Sequence, residues 1–310
     1  MIDFLMLGTG GGMPMPTRFL SAGLISYKGR KILIDCGEGT QVSMRISNCG
    51  FKTIDVICIT HVHGDHIVGL PGLLGTIGNS GRTEPLTIIG PEGIGKVVDG
   101  LRTIAEYLPY EVNIIENPKD TIVLNNGFIN GEVEINTCIL EHSSPCIGYN
   151  FNIKRTPRFN MESAIKNNVP KLLWSRLQKK EEKIEYEGKT YYRQMILGEE
   201  RKGIKISYIT DSRPIPYIVE FIYGSDLFVC EGTYGDDNDI VKAKKNKHMT
   251  FREAAVLARM GNVKKLLLTH FGTAMGNPEE FIGNALEEFK NSEAACDRFK
   301  LNLKFSEENK

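Results

Sequence analysis

The chain has 310 residues, 41% of them hydrophobic, and its 38 basic residues balance its 38 acidic ones. A chain of this length can bury a sizeable core, as one large domain or as one domain with an appendage. The zero net charge excludes a uniformly basic nucleic-acid-binding protein, so a polyanionic partner would require positive charge that is concentrated locally.

The N-terminal segment and the cysteines favour a soluble protein of the reducing cytoplasm. Met1–Leu5 carries no basic residue and its apolar run breaks at Gly8–Gly10, so we expect a first strand rather than a signal peptide. No uninterrupted apolar run approaches the roughly 20 residues needed to cross a bilayer, so no membrane is expected as a partner. The seven cysteines include no CxxC pair, and several lie in apolar runs where a free cysteine behaves as a small hydrophobic residue.

Residues 1–153 alternate short apolar segments with turn residues, a pattern that is typical of strands. The expected strands are Ile2–Leu7, Gly23–Ser26, Lys31–Ile34, Ile54–Thr60, Leu86–Ile89 and Val133–Leu140. Helical stretches lie between some of them, at Thr40–Ser47 and Gly93–Tyr107. Strands and helices mixed in this way predict a layered α/β fold, of which residues 1–153 form the first part.

Residues 154–200 differ in character and are predicted to form an inserted arm. Two short amphipathic helices, Met161–Asn167 and Lys171–Lys180, precede a hairpin-like segment at Lys183–Met195. The segment from residue 154 to residue 183 holds nine basic residues and three acidic ones, which leaves an excess of six positive charges in a neutral chain. We therefore expect a basic arm that protrudes from the core. Its Trp174 is interpreted as a packing anchor rather than a base-stacking platform.

The core pattern resumes in residues 201–310, the expected second part of the same domain. Strands are predicted at Ile204–Thr210, Leu227–Cys230 and Lys265–Thr269, and helices at Thr250–Met260 and Pro278–Lys290. The last helix follows Asn277-Pro278, a pair that often marks a helix start.

The densest chemical signal is the loop His61-Val62-His63-Gly64-Asp65-His66, which follows an apolar strand directly. It brings three of the chain's six histidines together with one carboxylate. Imidazole nitrogen combined with carboxylate oxygen suits Zn²⁺ or Mn²⁺, so the loop predicts a metal site. The alternative interpretation is a chance cluster of polar residues on a solvated loop. Gly64 would let the loop fold back, so that His61 and His63 face one ion while Asp65 and His66 face another.

The remaining histidines and one aspartate also lie at the ends of predicted elements. His142, Asp211 and His270 each end or follow a predicted strand, and His248 precedes a helix. Taken singly, each of them is more often structural than a ligand. Together they supply the ligands that a dinuclear site still lacks, and no histidine is left over.

A histidine-rich HxHxDH loop with a later His, Asp and His is the ligand series of the metallo-β-lactamase superfamily. Within it, the chain resembles the ribonuclease Z family, on segments spread over nearly its whole length. The most specific of these are Leu7–Gly10, Asp35–Gln41, Thr60–His66, Gly69–Leu74 and Ile89–Gly93. The resemblance implies a four-layer αββα metallo-β-lactamase fold with a protruding basic arm.

The resemblance also implies two divalent metal ions per chain, zinc or alternatively manganese. Seven side chains would hold them: His61, His63 and His142 on one ion, Asp65, His66 and His270 on the second, and Asp211 bridging both. Two such cations would lower the pKa of a bridging water and neutralise the charge that grows on a phosphate.

Three side chains are expected to take part in phosphodiester hydrolysis. Asp65 would orient the attacking water or accept its proton. His248 matches the family histidine that contacts the scissile phosphate, and the resemblance pairs it with Glu231. A carboxylate-held imidazolium could stabilise phosphorane charge or protonate the leaving oxygen. The structural alternative for Glu231 is a buried cap at the end of a strand.

Two basic segments suit a nucleic acid. The first contains four lysines and no acid directly before His248: Lys242, Lys244, Lys245 and Lys247. Such a run could steer phosphate to the metals. The second is the arm, which resembles the family arm that grips tRNA away from the active site. A solvated lysine-rich loop and a dimer-packing arm are the alternatives.

Departures from the family pattern lie mainly on the substrate side. The Gly-Pro motif of the arm is replaced by Val169–Trp174, and the usual Gly-Asp-Thr by Thr210-Asp211-Ser212. After the last ligand histidine the family commonly has Ser, a variable residue and Arg-Tyr, whereas this chain has Phe271–Met275.

We therefore expect an endoribonuclease that removes the 3′ trailer of precursor tRNA, in the form of a cytoplasmic homodimer. One alternative is a phosphodiesterase of the same fold that acts on another nucleic acid or a small diester. A thioester or lactam hydrolase is disfavoured by the Glu38–Gln41 and Gly69–Leu74 segments together with His248. A non-catalytic scaffold that binds RNA through the arm is disfavoured because every ligand residue is present.

Overall fold

The computed structural model describes residues 1–124, 132–179 and 181–306. These residues form two compact units. The first comprises Met1–Ile153 and Ile204–Lys304, and the second comprises Lys154–Gly203 with Phe305 and Ser306. Lys180, at the end of the second helix expected in the arm, lies outside the described residues.

The first unit contains a seven-stranded sheet built largely from the N-terminal half of the chain. Its strands are β1 (Ile2–Gly8), β2 (Ala22–Tyr27), β3 (Arg30–Ile34), β4 (Ile54–Cys58), β5 (Leu86–Gly90), β6 (Val112–Glu116) and the C-terminal β16 (Lys300–Leu303). The strand order is β16-β1-β2-β3-β4-β5-β6. Neighbours are antiparallel from β16 to β3 and parallel from β3 to β6.

The helices that accompany this sheet bury apolar stripes against one of its faces. They are α1 (Thr40–Ile46), α2 (Gly64–Ile67), α3 (Leu70–Asn79) and α4 (Ile94–Arg102). Leu73, Leu74 and Ile77 of α3 are fully buried in a cluster that also contains Leu5 and Leu7 of β1. Alternate residues of a strand point to opposite faces, so the neighbours Phe4 and Met6 are left for the other face.

The second sheet of this unit has the same strand count. Its strands are β7 (Ile122–Val123), β8 (Val133–Ile139), β9 (Ile147–Arg155), β12 (Arg201–Ile209), β13 (Leu227–Glu231), β14 (Leu266–Thr269) and β15 (Ser292–Ala294), in the order β15-β14-β13-β12-β9-β8-β7. Neighbours are antiparallel from β7 to β9 and parallel from β12 to β15. The accompanying helices are α7 (Pro216–Ile222), α8 (Ile240–Asn246), α9 (Phe251–Met260) and α10 (Ile282–Glu288).

The two sheets face each other across a buried interior. Tyr149 of β9 is fully buried, and its hydroxyl donates to the carbonyls of Ile59 and Ile89 at 2.7 and 3.1 Å, which follow or lie on strands of the first sheet. A Cβ on Gly23 of β2 would lie 3.3 Å from the Tyr208 ring of β12, so glycine permits the close approach there. Helices on the outer faces complete the α/β/β/α layering that the resemblance implied.

The second unit is a small helix and hairpin assembly with its own core. It contains α5 (Met161–Lys166), α6 (Lys171–Lys179), β10 (Lys183–Tyr186) and β11 (Lys189–Tyr192). Its buried residues are Ala164, Val169, Leu173, Leu177, Ile184 and Ile196. The Trp174 indole donates to the Val169 carbonyl at 2.8 Å and its ring lies 5.2 Å from the Phe159 ring, so this side chain packs within the unit.

Several element boundaries differ from the sequence-based expectation. The helix expected over Gly93–Tyr107 ends at Arg102, and the one expected over Pro278–Lys290 is a 3₁₀ turn at Pro278–Phe281 followed by α10. The lysine-rich segment before His248, for which a solvated loop was the alternative interpretation, forms α8 up to Asn246. Within the described residues, none of the helices is long and apolar enough to span a membrane.

Candidate metal centre

The expected ligands lie where strands of both sheets end. His61 follows β4, His142 follows β8, Asp211 follows β12 and His270 follows β14 directly. The parallel strands β12, β13 and β14 place their carboxyl ends at one edge, where α/β proteins commonly bind ligands. The loop after β4 meets that edge, so residues separated by more than 200 positions come together.

Three residues in the region of these ligands adopt a left-handed backbone conformation within two positions of a strand end. Their φ angles are 57° at Asp35, 52° at Asp211 and 56° at His270. This region is uncommon for residues other than glycine, although Asn, Asp and His enter it more readily than most. Each such residue costs about 1–3 kcal/mol and persists only where surrounding contacts hold it, which is typical of functional sites.

The first ligand group consists of His61, His63 and His142. His63 Nδ1 lies 3.0 Å from His61 Nε2 and 3.2 Å from His142 Nε2. Burial lowers the pKa of His61 to about 2, and burial also lowers the pKa of His142. Imidazole nitrogens that converge at such separations can offer lone pairs to one common cation.

The second ligand group consists of Asp65, His66 and His270. The two imidazoles approach through their Nε2 atoms at 3.2 Å, and the Asp65 Oδ2 atom lies 3.4 Å from His66 Nε2 and 3.3 Å from His270 Nε2. All three ligand atoms lie within 4.8 Å of one another. This group therefore offers two nitrogens and one oxygen to a second cation.

The buried Asp211 carboxylate lies between the two groups. Its Oδ1 atom is 3.3 Å from Nε2 of both His66 and His270, whereas its Oδ2 atom is 3.7 Å from His61 Nε2 and 3.8 Å from His142 Nε2. Each oxygen thus faces a different ligand group. A carboxylate in this position can contact two cations at once.

Hydrogen bonds on the outer side of the histidines orient their rings. His66 Nδ1 lies 2.9 Å from the fully buried Asp35 carboxylate, and His270 Nδ1 lies 3.0 Å from the Thr233 hydroxyl. His142 Nδ1 lies 3.4 Å from the Lys247 carbonyl. Such partners fix the tautomer in which Nε2 is the free ligand nitrogen, and they are usual around metal-binding histidines.

A buried histidine and carboxylate pair lies beside these groups. Glu231, the last residue of β13, is fully buried, and its carboxylate oxygens lie 3.1 and 3.2 Å from His248 Nδ1. The same carboxylate accepts the backbone N–H groups of Ser212 at 2.6 Å and Met249 at 3.0 Å. Burial alone would lower the pKa of His248, but the Glu231 charge and hydrogen bond raise it to about 9.

The charge of the site fits divalent cations. Burial disfavours protonation of His66, yet the charges of Asp211 and Asp35 raise its pKa well above the usual value. The His66 ring is thus surrounded by carboxylates that require a positive charge nearby. Nitrogen and oxygen donors that converge in two groups around a shared carboxylate match the ligand preferences of zinc and manganese.

Members of both ligand groups line a cleft of about 500 Å³. Lys245 and Lys247 line it together with His248, so two cationic side chains border the site. Lys242 of the same lysine-rich segment differs from them, because its ammonium pairs with Asp239 at 2.6 Å and its side chain is 69% exposed. Lys247 also donates from Nζ to the His142 carbonyl at 3.0 Å.

The structure brings all of the sequence-predicted site residues into one region, and it adds residues that the sequence reasoning left without a role. Asp35 backs His66, and Thr233 connects Glu231 to His270 through bonds of 2.6 and 3.0 Å. Both belong to segments that carried the family resemblance or adjoined a predicted catalytic residue. A polar residue that directly follows a buried strand was the signal that could have identified Asp35.

Comparisons with known proteins agree with this architecture. A ribonuclease Z of Clostridium beijerinckii is 68% identical over 308 residues, which cover 99% of this chain and all of that relative. The crystal structure of human tRNase Z, short form, has a TM-score of 0.67 at 25% identity and covers 97% of this chain and 98% of its own. The metallo-β-lactamase fold protein YhfI of Bacillus subtilis has a TM-score of 0.69 at 17% identity, with the same coverage, which supports the fold alone.

One further match concerns only the N-terminal third. Residues 2–100 match the family described as anti-Pycsar protein Apyc1, which is less than half of the chain. The near-complete match at 68% identity, the fold and the convergent His and Asp groups define a metal-dependent hydrolase with a metallo-β-lactamase fold. The chain belongs to the ribonuclease Z family.

Proposed function

We propose that this protein removes the 3′ trailer of precursor tRNA by metal-assisted phosphodiester hydrolysis. The observation that carries the proposal is the Asp211 carboxylate, whose two oxygens face two separate ligand groups beside the His248–Glu231 pair. That arrangement suits a phosphate diester, because attack and departure at phosphorus develop negative charge on two sides.

We propose that seven side chains form two metal-ion sites, with zinc as the preferred metal and manganese as the alternative. His61, His63 and His142 would hold one ion, Asp65, His66 and His270 the other, and Asp211 would bridge. When bound, such ions would lower the pKa of water and offset charge on the phosphate oxygens.

Three further roles, the orientation of water, the binding of phosphate and the transfer of protons, would fall to side chains of the protein. The Asp65 carboxylate, which lines the cleft, would orient the attacking water or accept its proton. The Glu231 carboxylate accepts a hydrogen bond from His248 Nδ1. This leaves His248 Nε2 as the ring nitrogen that can contact a phosphate oxygen. His248 would donate a hydrogen bond there and pass a proton to the leaving 3′ oxygen.

Substrate binding would rely on charge near the cleft and in the second unit. Lys245 and Lys247 border the site, and the unit at Lys154–Gly203 carries the basic excess seen in the sequence. We propose that this unit holds tRNA and that the protein acts as a cytoplasmic homodimer. The location is supported by the free cysteines, all seven of which lack a disulfide partner.

A labelled precursor tRNA with a 3′ trailer tests the proposal directly. Zinc- or manganese-loaded protein should cut once, after the discriminator nucleotide, and Asp65→Ala should lose the activity. Bound metal should be counted in the same preparation, because a non-catalytic scaffold need not retain two ions per chain.

A second candidate is a phosphodiesterase that acts on another nucleic acid or a small diester. It is favoured by the segment after His270, where Phe271–Met275 lacks the arginine that the family commonly has. Intact tRNA combined with hydrolysis of a simple chromogenic phosphodiester would favour this candidate and reject the tRNA substrate.

A further inference from the structure

Asp297 forms a junction behind the metal site, in the turn between β15 and β16. Its Oδ1 atom accepts the Thr9 backbone N–H at 3.0 Å and the Thr9 hydroxyl at 2.8 Å, although the two residues are 288 positions apart. Its Oδ2 atom accepts the Phe19 backbone N–H at 2.6 Å. One carboxylate therefore ties together both ends of the loop Thr9–Phe19.

This loop reaches the second ligand group through its glycines. The Gly12 backbone N–H donates to Asp65 Oδ2 at 2.7 Å, the same oxygen that faces His66 and His270. Gly12 has a φ of 82°, a conformation that glycine adopts without steric cost. The direction of that N–H depends on the course of the loop, because no side chain of Gly12 anchors it.

The same loop also contacts the segment that carries His270. Phe271 N–H donates to the Thr9 carbonyl at 2.8 Å, and Gly11 N–H donates to the Phe271 carbonyl at 3.0 Å. A Cβ on Gly11 would lie 2.4 Å from the His270 ring, so the backbone packs directly against the imidazole. Thr9, which Asp297 fixes twice, is thus bonded to the residue that follows the ligand.

We propose that Asp297 is a positioning residue for the ion site formed by Asp65, His66 and His270. It acts through Thr9–Gly12, which presents an N–H to Asp65 and braces His270. Within the described residues, neither Asp297 nor this loop forms a hydrogen bond with His61, His63 or His142, so the effect should be confined to one of the two sites. The inference rests on the proposed two-metal function and names a residue outside its ligand set.

The proposal predicts a selective loss of affinity for one metal ion. Apo protein would be titrated with Mn²⁺ by calorimetry, and bound metal would be counted. Asp297→Ala should bind one ion with the wild-type affinity and the other up to about tenfold more weakly. This is the lower end of the loss seen when a direct outer partner of a ligand is removed, because Asp297 acts through the loop. Thr9→Val removes only the hydroxyl bond and should give a smaller loss at the same site.

Conservative replacement and a matched control separate positioning from general destabilisation. Asp297→Asn keeps an oxygen for Thr9 but can present an N–H₂ group to the Phe19 N–H, so its affinity should fall between those of wild type and alanine. Asp226 is the control, because its carboxylate also accepts a backbone N–H, from Lys205 at 2.9 Å, and pairs with Lys264 at 2.6 Å. Asp226→Ala should lower the unfolding midpoint of the apo protein and leave both metal affinities unchanged.

Two results would overturn the proposal. Wild-type affinity for both ions in Asp297→Ala would remove the positioning role, and an equal loss for both ions would make the residue a general structural support. Cleavage of precursor tRNA by the wild-type protein is measured separately. Failure of that reaction would reject the proposed substrate, whereas the metal titration would still decide the role of Asp297.

Discussion

The two parts of the candidate metal centre are built in different ways. His61, His63, Asp65 and His66 come from one loop after β4, so the chain itself keeps them close. His142, Asp211 and His270 come from three strand ends of the other sheet and meet only after that sheet has formed. The positions of the loop residues depend on local geometry, whereas the positions of the strand-end residues depend on the register of long-range strand pairs.

Each part is supported by a buried acidic residue at a strand end. Asp35, after β3, lies behind His66 of the loop, and Glu231, at the end of β13, reaches His270 through Thr233. The difference is that Asp35 contacts its histidine directly, whereas Glu231 acts through a hydroxyl. Replacing Asp35 should therefore reduce metal affinity more than replacing Thr233, which connects Glu231 to His270.

Replacing Asp211 should have the largest effect, because this residue joins the two parts. In Asp211→Asn an amide replaces one oxygen, so one ligand group faces an N–H₂ donor instead of an acceptor. We expect cleavage to fall by more than about 100-fold, beyond the usual effect of an outer partner, with loss of bound metal. Metal analysis and single-turnover cleavage would measure both, and retention of two ions with normal cleavage would contradict the bridging assignment.

Asp35→Asn should have the second largest effect, a loss of metal affinity at the site that contains His66. Asparagine tolerates the left-handed conformation at this position, so the backbone can be kept while the carboxylate charge behind His66 is lost. We expect metal affinity to fall about 10–100-fold at one site. Asp55→Asn serves as the control, because Asp55 is also buried and pairs with Arg82 at 3.1 Å outside the site. It should reduce stability without changing metal binding in a titration of the apo protein.

Thr233→Val should have a smaller effect on the dispersed half. Valine keeps the side-chain shape but removes the hydroxyl between Glu231 and His270, so His270 loses the acceptor for its outer nitrogen. A net loss of about 1 kcal/mol, or roughly fivefold in kcat/KM, is typical of one hydrogen bond. Thr233→Ser should restore most of the activity, and a valine variant with unchanged kcat/KM would show that the hydroxyl does not orient the ligand.

Lysines near the cleft should give the smallest effect and one that depends on salt. Lys245→Gln removes a charge that borders the cleft, so kcat/KM for a tRNA substrate should fall severalfold at low salt and less at high salt. Lys242→Gln is the matched control, since Lys242 is already paired with Asp239. Equal losses for the two variants would argue against steering by the lysine that lines the cleft.

Local patterns were sufficient to predict the core strands, and the residues that were expected as ligands lie close together in the structure. The apolar segments before His61, Asp211 and His270 all form strands, and their polar successors all lie at the site. Prediction was weaker where tertiary packing sets the boundary. The helix expected to reach Tyr107 stops at Arg102, and β9, which pairs with β8 over Ile147–Ile153, was not predicted.

The sequence by itself determined which donor atoms the protein has and which of them follow strands, because residue type and apolar periodicity are local properties. Only the tertiary structure decided how those donors are shared: Asp211 turns one oxygen to each ligand group, Asp35 supports His66, and Asp297 fixes a loop 288 residues away. These relations depend on strand order and on backbone direction beyond each strand. Neither property is contained in a short window of sequence, since both arise when distant segments pair within the two sheets.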